Sequence, residues 1–182
     1  MSPELSFLMV DGTGDPNTSG NYREAVEALF AVSYRVRFAV KRSVGGIDYG
    51  VMPLEGLWWV DDMSTFSLDD KSNWSWTAMI MQPDVVTDEL VQRSIPEASK
   101  KQPLPAAAEL RLDRFGEGPA AQVLHMRPYG AERPTIERLH AFIAGAGYRP
   151  RGKHHEIYLS DPSRAEPAKL KTIVRQPVAD AS

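Results

Sequence analysis

Residues 153–162, K-H-H-E-I-Y-L-S-D-P, predict a β-strand that ends in a turn. Because side chains alternate along a strand, His154, Glu156 and Tyr158 share one face, and the residues between them form a mostly apolar opposite face. Taken alone, this pattern favours a solvated Glu156, since Glu is seldom fully buried. The alternative is a Glu156 that faces a cavity, where desolvation would raise its pKa and make it a general base or a cation-binding group.

A second informative segment is 52–60, M-P-L-E-G-L-W-W-V, which places a carboxylate beside two indoles. One interpretation is a strand that buries Trp58 or Trp59 in a core, because aromatic side chains supply much of the buried area of proteins. The other is a stacking platform next to Glu55. Such a pocket suits flat apolar or cationic organic ligands.

Strand and helix patterns alternate along the rest of the chain. Asn21, with Glu24 three residues later, predicts the start of the first helix, and Gly45-Gly46 predicts its end. Thr87 predicts the start of the second helix, and Pro96 predicts a kink or its end. We predict strands at 5–10, 49–60, 74–81, 111–117, 121–127, 154–159 and 170–175, and a third helix over 134–146.

This order of elements repeats, and it predicts an α+β fold built from an internal duplication. Repeat one covers about residues 1–98, a linker covers about 99–108, and repeat two covers about 109–182. Helices would cover the sheet of each half, and a groove between the halves would form the ligand pocket.

Composition narrows the possible functions. The 182 residues are 42% hydrophobic, which is enough for a core. The net charge is −3, whereas proteins that bind nucleic acid carry an excess of basic residues on the binding surface. The chain has no cysteine, and no stretch approaches the length of a membrane span. We therefore predict a cytoplasmic protein that contacts neither membrane nor nucleic acid directly. The sequence makes no prediction of oligomeric state.

The four histidines do not predict a metal site. Adjacent strand histidines such as His154 and His155 point to opposite faces, and no H-E-x-x-H spacing occurs. We predict neither a metal nor another cofactor.

The stretches M-P-L-E-G-L-W-W at 52–59 and H-E-I-Y-L-S-D-P at 155–162 occur in the order found in the GyrI-like small-molecule-binding family. The chain resembles that family over nearly its whole length. The resemblance implies two strand-helix-strand-strand modules of the SHS2 type, related by a pseudo-twofold axis, with a central ligand cleft. It is also similar to the drug-sensing half of certain transcription regulators, in which a carboxylate meets cationic aromatic drugs. The chain has no room for a helix-turn-helix module, so we do not expect a regulator.

Some stand-alone members of this family hydrolyse cyclopropane-bearing, DNA-alkylating natural products, and this chain is similar to them in length and in both motifs. The resemblance therefore implies a detoxifying cyclopropanoid hydrolase, with Glu156 as the base and Tyr158 as the residue that orients water or donates a hydrogen bond. Ligand-binding side chains are expected at Glu55, Trp58, Trp59, Trp76 and His154.

A protein without catalytic activity remains the alternative. It would bind and sequester aromatic or cationic drugs, or dock on a protein such as DNA gyrase. A sequestering protein needs aromatic walls but no base beside a water molecule, so the pairing of Glu156 with Tyr158 favours catalysis. A carboxylate that only recognises cations would give the same sequence pattern.

Overall fold

The computed structural model describes residues 3–161 and 164–181. Within these ranges three α-helices pack on one eight-stranded antiparallel sheet, which confirms the α+β prediction. The helices are α1 (Gly20–Arg42), α2 (Asp88–Ser99) and α3 (Arg133–Gly145). The strands are β1 (Leu5–Thr13), β2 (Leu54–Trp59), β3 (Ser75–Gln82), β4 (Arg111–Phe115), β5 (Ala120–Met126), β6 (Tyr148–Pro150), β7 (His154–Tyr158) and β8 (Lys171–Asp180).

The two halves of the chain have the same order of elements. The sheet reads β4-β1-β3-β2-β7-β8-β5, with β6 paired to β8 outside this path. The succession β1-α1-β2-β3 in the first half matches β5-α3-β7-β8 in the second, and the two halves meet where β2 pairs with β7. This central pair puts both sequence motifs side by side.

The sheet is strongly curled. Strands β4 and β5 stand at opposite ends of the strand order, yet only residues 116–119 connect them along the chain. So short a connection requires the two edges to approach each other, as in a barrel. We call the concave surface the inner face; it carries its own core, formed by Phe7, Met9, Leu57 and Met79.

Helices α1 and α3 cover the outer surface of the sheet, which we call the helix face. Helix α1 buries residues at helical spacing, among them Ala25, Leu29, Val32 and Val36, in one core with Trp76. Helix α3 forms a smaller core with β8. The centre of the helix face, above β2 and β7, lies between the two cores.

Strand β1 extends beyond its predicted end. It continues through Asp11 and Gly12 to Thr13, because Gly12 pairs with Trp76 and leaves room for the indole. A Cβ at position 12 would lie 2.2 Å from a ring carbon of Trp76. Helix α1 also begins differently, with Ser19 as its N-cap, while the Asn21 side chain donates to the carbonyl of Thr13.

Helix α2 confirms the predicted cap and excludes one of the two alternatives given for Pro96, an end of the helix. The Thr87 side chain caps it by accepting from the Leu90 amide, as expected, but Pro96 lies inside the helix and does not end it. The turn that follows is retained because Ala98 is buried in the core. Residues 99–108, expected to be a linker, include the end of α2 and part of a 3₁₀ helix, Pro105–Glu109, that packs on α1.

None of the helices described here is long and apolar enough to cross a membrane.

Candidate functional site

The two sequence motifs meet at the centre of the helix face. Gly56 pairs with Glu156 and Trp58 pairs with His154, so these side-chain positions share one surface of the sheet. The residue opposite Glu156 has no side chain. Strand β2 therefore leaves open space beside the carboxylate, into which Trp58 extends its indole.

Two neighbours on strand β7 form hydrogen bonds with Glu156. The Tyr158 hydroxyl donates to Oε2 over 2.7 Å, and Nε2 of His154 lies 2.8 Å from Oε1. The hydroxyl of Tyr158 also accepts a bond of 3.1 Å from the indole N–H of Trp58. Glu156 is only 8% exposed, so the prediction of a solvated carboxylate is wrong.

Two buried carboxyl groups share this site and have opposite ionisation. Burial opposes the charge of Glu156 and by itself would raise its pKa. His154, through a hydrogen bond and its charge, and Tyr158, through a hydrogen bond, outweigh burial and hold the pKa of Glu156 below the usual range. Burial, reinforced by the neighbouring Glu156 charge, raises the pKa of Glu132 to about 9. Glu156 is therefore the ionised member at neutral pH, and Glu132 carries a proton.

Tyrosines from three elements surround this carboxyl pair. The ring of Tyr129 lies 5.6 Å from the ring of Tyr158, and Tyr22 of α1 approaches Tyr158 and packs 5.4 Å from Trp58. Burial, followed by the charge of Glu156, raises the pKa of both Tyr22 and Tyr158. Both hydroxyls therefore stay protonated and can donate hydrogen bonds.

The connection between β2 and β3 supplies an aromatic cover. Phe66 stacks on Trp74, with 4.7 Å between ring centroids, and lies 5.8 Å from the His154 ring. Lys71 sits 4.8 Å above the Trp74 ring. Phe66 and His154 thus form a wall beside Glu156.

A cavity of about 760 Å³ opens on the other side of this wall. Its lining includes His154 and Phe66 but not Glu156, so His154 lies between the carboxylate and the cavity. The opposite wall comes from α3. Other lining residues are Val60, Leu68, Ile136, His140 and Gln176. The volume is within the range of small-molecule sites.

Glu55 does not belong to this site, contrary to the sequence prediction. It pairs with Ile157, so its side chain lies on the inner face, where Oε2 is 2.8 Å from Nε2 of His155. The sequence prediction placed Glu55 and Glu156 in one pocket, as if the side chains of strand β2 did not alternate. Strand β2 is instead regular and central, and its alternation separates Glu55 from Glu156.

The three tryptophans predicted to bind ligand, Trp58, Trp59 and Trp76, lie in different surroundings. Trp58 and Trp76 are almost fully buried in the core of the helix face, so neither is an open stacking surface in this conformation. Trp58 nevertheless reaches the site through its bond to Tyr158. Trp59 borders the 760 Å³ cavity and carries Lys153 over its ring at 3.4 Å.

The sequence interpretation missed Glu132, Tyr22, Tyr129 and Phe66. Glu132 precedes α3, where an acidic residue is expected from the helix dipole alone, so nothing marks it as special. Phe66 lies in a polar connection, with no periodic pattern to predict burial. Only the meeting of β2 with β7 brings these residues together.

Among the residues that the structure describes, no group of three or more His, Cys, Asp or Glu side chains could hold a metal ion. Pro162, the last residue of the second motif, lies outside the described residues.

The sequence matches the GyrI-like small molecule binding domain over residues 1–179. The chain belongs to this family. No curated protein sequence matches it.

Solved structures with high similarity to this GyrI-like domain come from Listeria innocua. One, described as an uncharacterized conserved protein, has 40% identity and a TM-score of 0.89. Two described as hydrolases have 38% and 39% identity, with TM-scores of 0.83 and 0.84. Each alignment covers 98% of this chain and 89% of the other.

Proposed function

We propose that this GyrI-like domain hydrolyses electrophilic, hydrophobic natural products that carry a cyclopropane ring, with Glu156 as the general base. The observation that carries the proposal is a buried, ionised carboxylate held by His154 and Tyr158 among aromatic side chains. Similarity to two proteins described as hydrolases supports it. Detoxification in the cytoplasm would be the physiological role.

The reaction adds one water molecule. The water oxygen bonds to a cyclopropane carbon while Glu156 accepts the water proton. The strained C–C bond breaks, its electron pair passes into the conjugated system of the substrate, and that system gains a proton from solvent. Base catalysis of this kind contributes about 10²–10⁴ in rate, and relief of ring strain supplies the driving force.

The substrate would lie in the 760 Å³ cavity, against Phe66 and His154. Glu156 is buried beside these side chains, with 11% of its own side chain exposed, so the wall would move to bring the substrate and a water molecule to the carboxylate. Tyr158 would keep the carboxylate oriented during this movement, since it bonds to Oε2. Oε1 is the oxygen bonded to His154, a residue that lines the cavity.

The alternative is a binding module that sequesters aromatic or cationic compounds, or one that docks on a protein such as gyrase. The sequestering hypothesis is favoured by one observation: Glu156 is covered and already hydrogen-bonded in this conformation. A cation receptor needs no water at the carboxylate.

Glu156→Gln separates these hypotheses. We expect the variant to lose turnover by at least about 100-fold while it still binds a neutral cyclopropane substrate, because the amide keeps the size but loses the basicity. Mass spectrometry for the addition of one water to the substrate is the measurement. A matched control is Glu89→Gln, whose side chain is 80% exposed on α2, and which should retain full activity.

Two outcomes would contradict the hydrolase proposal. Parental turnover in Glu156→Gln would exclude Glu156 as the base. Absence of turnover in the parent, with loss of affinity for a cationic dye in the variant, would identify a cation-binding module instead. The acid limb of the rate profile should lie below the pKa of an ordinary Glu, since the pKa of Glu156 is lowered and the base works only when ionised.

A further inference from the structure

A second cavity lies on the inner face of the sheet, across the sheet from the proposed catalytic site. Its volume is about 400 Å³. Apolar side chains from four strands line most of it, with a polar cluster at one end. The apolar members are Leu5, Phe7, Met81, Phe115 and Ile157, and the polar ones are Glu55, Glu117, Gln122, His155 and Arg175.

His155 connects two carboxylates within this cluster. Its Nδ1 lies 3.0 Å from both oxygens of Glu117, and its Nε2 lies 2.8 Å from Oε2 of Glu55. Both ring nitrogens thus face an acceptor, and an imidazolium, with two N–H groups, satisfies both. Burial opposes that charge, but the hydrogen bonds to Glu117 and Glu55 raise the pKa of His155.

The two carboxylates are not equally neutralised. Glu117 has two cationic neighbours, because Nη1 of Arg175 donates to it over 3.0 Å in addition to His155. Glu55 has one cationic neighbour, His155, which also contacts Glu117. No donor among the described residues bonds to Oε1 of Glu55. Glu55 is only 9% exposed and lines the cavity, so it presents an underused carboxylate oxygen next to apolar walls.

We propose that this inner-face cavity is a second ligand site, which takes a hydrophobic amine with its ammonium group on Glu55 and its apolar body against Phe7 and Phe115. The aromatic rings of the two phenylalanines pack edge to face, 6.0 Å apart, and give a surface that favours both an apolar body and a nearby cation. The ion pairs of this buried network add little net stability, because desolvation of the charged groups offsets their attraction. The site is independent of the hydrolysis proposed for the helix face.

Isothermal titration calorimetry with 1-naphthylmethylamine and its neutral counterpart, 1-naphthalenemethanol, tests the proposal. Both fit the cavity and differ only in the group that would meet Glu55. We expect the parent to bind the amine at least 10-fold more tightly than the alcohol. Glu55→Gln should abolish this preference while it leaves the affinity for the alcohol within about twofold. Glu156→Gln, which removes the carboxylate of the helix face, should retain the preference.

A second variant covers the case in which Glu55→Gln does not fold. Ala120 is exposed at the cavity, so Ala120→Trp can fill the entrance without burying the new side chain in a core. It should lose binding of both compounds. Equal affinity of the parent for amine and alcohol, or an amine preference that survives in Ala120→Trp but disappears in Glu156→Gln, would overturn the proposal.

Discussion

At the scale of single residues, Glu132 makes a sharp prediction about stability. Its pKa is about 9 in the folded protein against 4.5 as the usual value, so unfolding releases a proton between these limits. Stability contributed by this group therefore falls as pH rises from about 5 to 9. Glu132→Gln removes the effect, and we expect the variant to gain about 1–3 kcal/mol relative to the parent between pH 5 and pH 8.

Urea denaturation at several pH values measures this difference. Glu137→Gln is the control, because Glu137 is exposed on the adjoining helix α3 and should follow the parent at every pH. Parallel stability curves for Glu132→Gln and the parent would show that Glu132 ionises normally.

Trp58 gives a second prediction at this scale. Because Trp58 is buried in the core and bonded to Tyr158, Trp58→Ala should lower the free energy of unfolding by about 3–5 kcal/mol. Trp59→Ala is the matched control, since Trp59 is only partly buried, and we expect a loss of about 1–2 kcal/mol. Chemical denaturation measures both. A Trp58→Ala variant with parental stability but weakened ligand binding would make Trp58 an open pocket wall.

Residue patterns alone predicted part of the site. The alternation of His154, Glu156 and Tyr158 correctly places three members of the network on one face. The ionisation of Glu156 could not be predicted, because burial favours the neutral carboxyl group and only the hydrogen-bond geometry of His154 and Tyr158 outweighs it. The contact of Glu117 with His155 could not be predicted either, because a Glu between two glycines is typical of an ordinary turn.

At the scale of elements, strand β2 depends on a residue without a side chain. A Cβ at position 56 would lie 2.7 Å from Nε1 of Trp58, so Gly56→Ala must displace the indole and weaken its bond to Tyr158. We expect a loss of about 1–3 kcal/mol in stability, the usual cost of overpacking. Thermal or urea unfolding measures it.

Gly50→Ala provides the comparison, because nothing lies within 4 Å of a Cβ built there. It should change stability by less than about 0.5 kcal/mol. Similar effects of the two substitutions would mean that contact with Trp58 is not what position 56 requires.

Most strands and helices were predictable because their apolar residues follow the period of the element, as in α1. The errors occurred where tertiary contacts override local signals. Gly12 continues β1 because Trp76 packs against it, and Pro96 stays inside α2 because the following turn is buried. Local propensity cannot report either contact.

At the scale of the whole molecule, pairing of β2 with β7 joins the two halves in one sheet, so we expect them to unfold together. All four tryptophans, Trp58, Trp59, Trp74 and Trp76, lie in the first half, so their fluorescence follows that half, whereas far-UV circular dichroism follows both. We expect the two signals to give one coincident urea transition. A fluorescence midpoint that differs from the dichroism midpoint would show that the halves unfold separately.

The repeated order of elements was predictable at this scale, but the curl of the sheet was not. It follows from the strand order, which puts β4 and β5 at opposite edges although they are neighbours in sequence. The boundary of the repeats near residues 99–108 stays a prediction.

Strand β7 also limits how this chain can change over evolutionary time. Five residues supply Glu156 to one surface and His155 to the other. An insertion or deletion of one residue within the strand would exchange the two surfaces and place each group in the wrong environment. A point substitution can alter one surface and leave the other unchanged. The residues on the two surfaces can therefore change independently, whereas the length of the strand cannot.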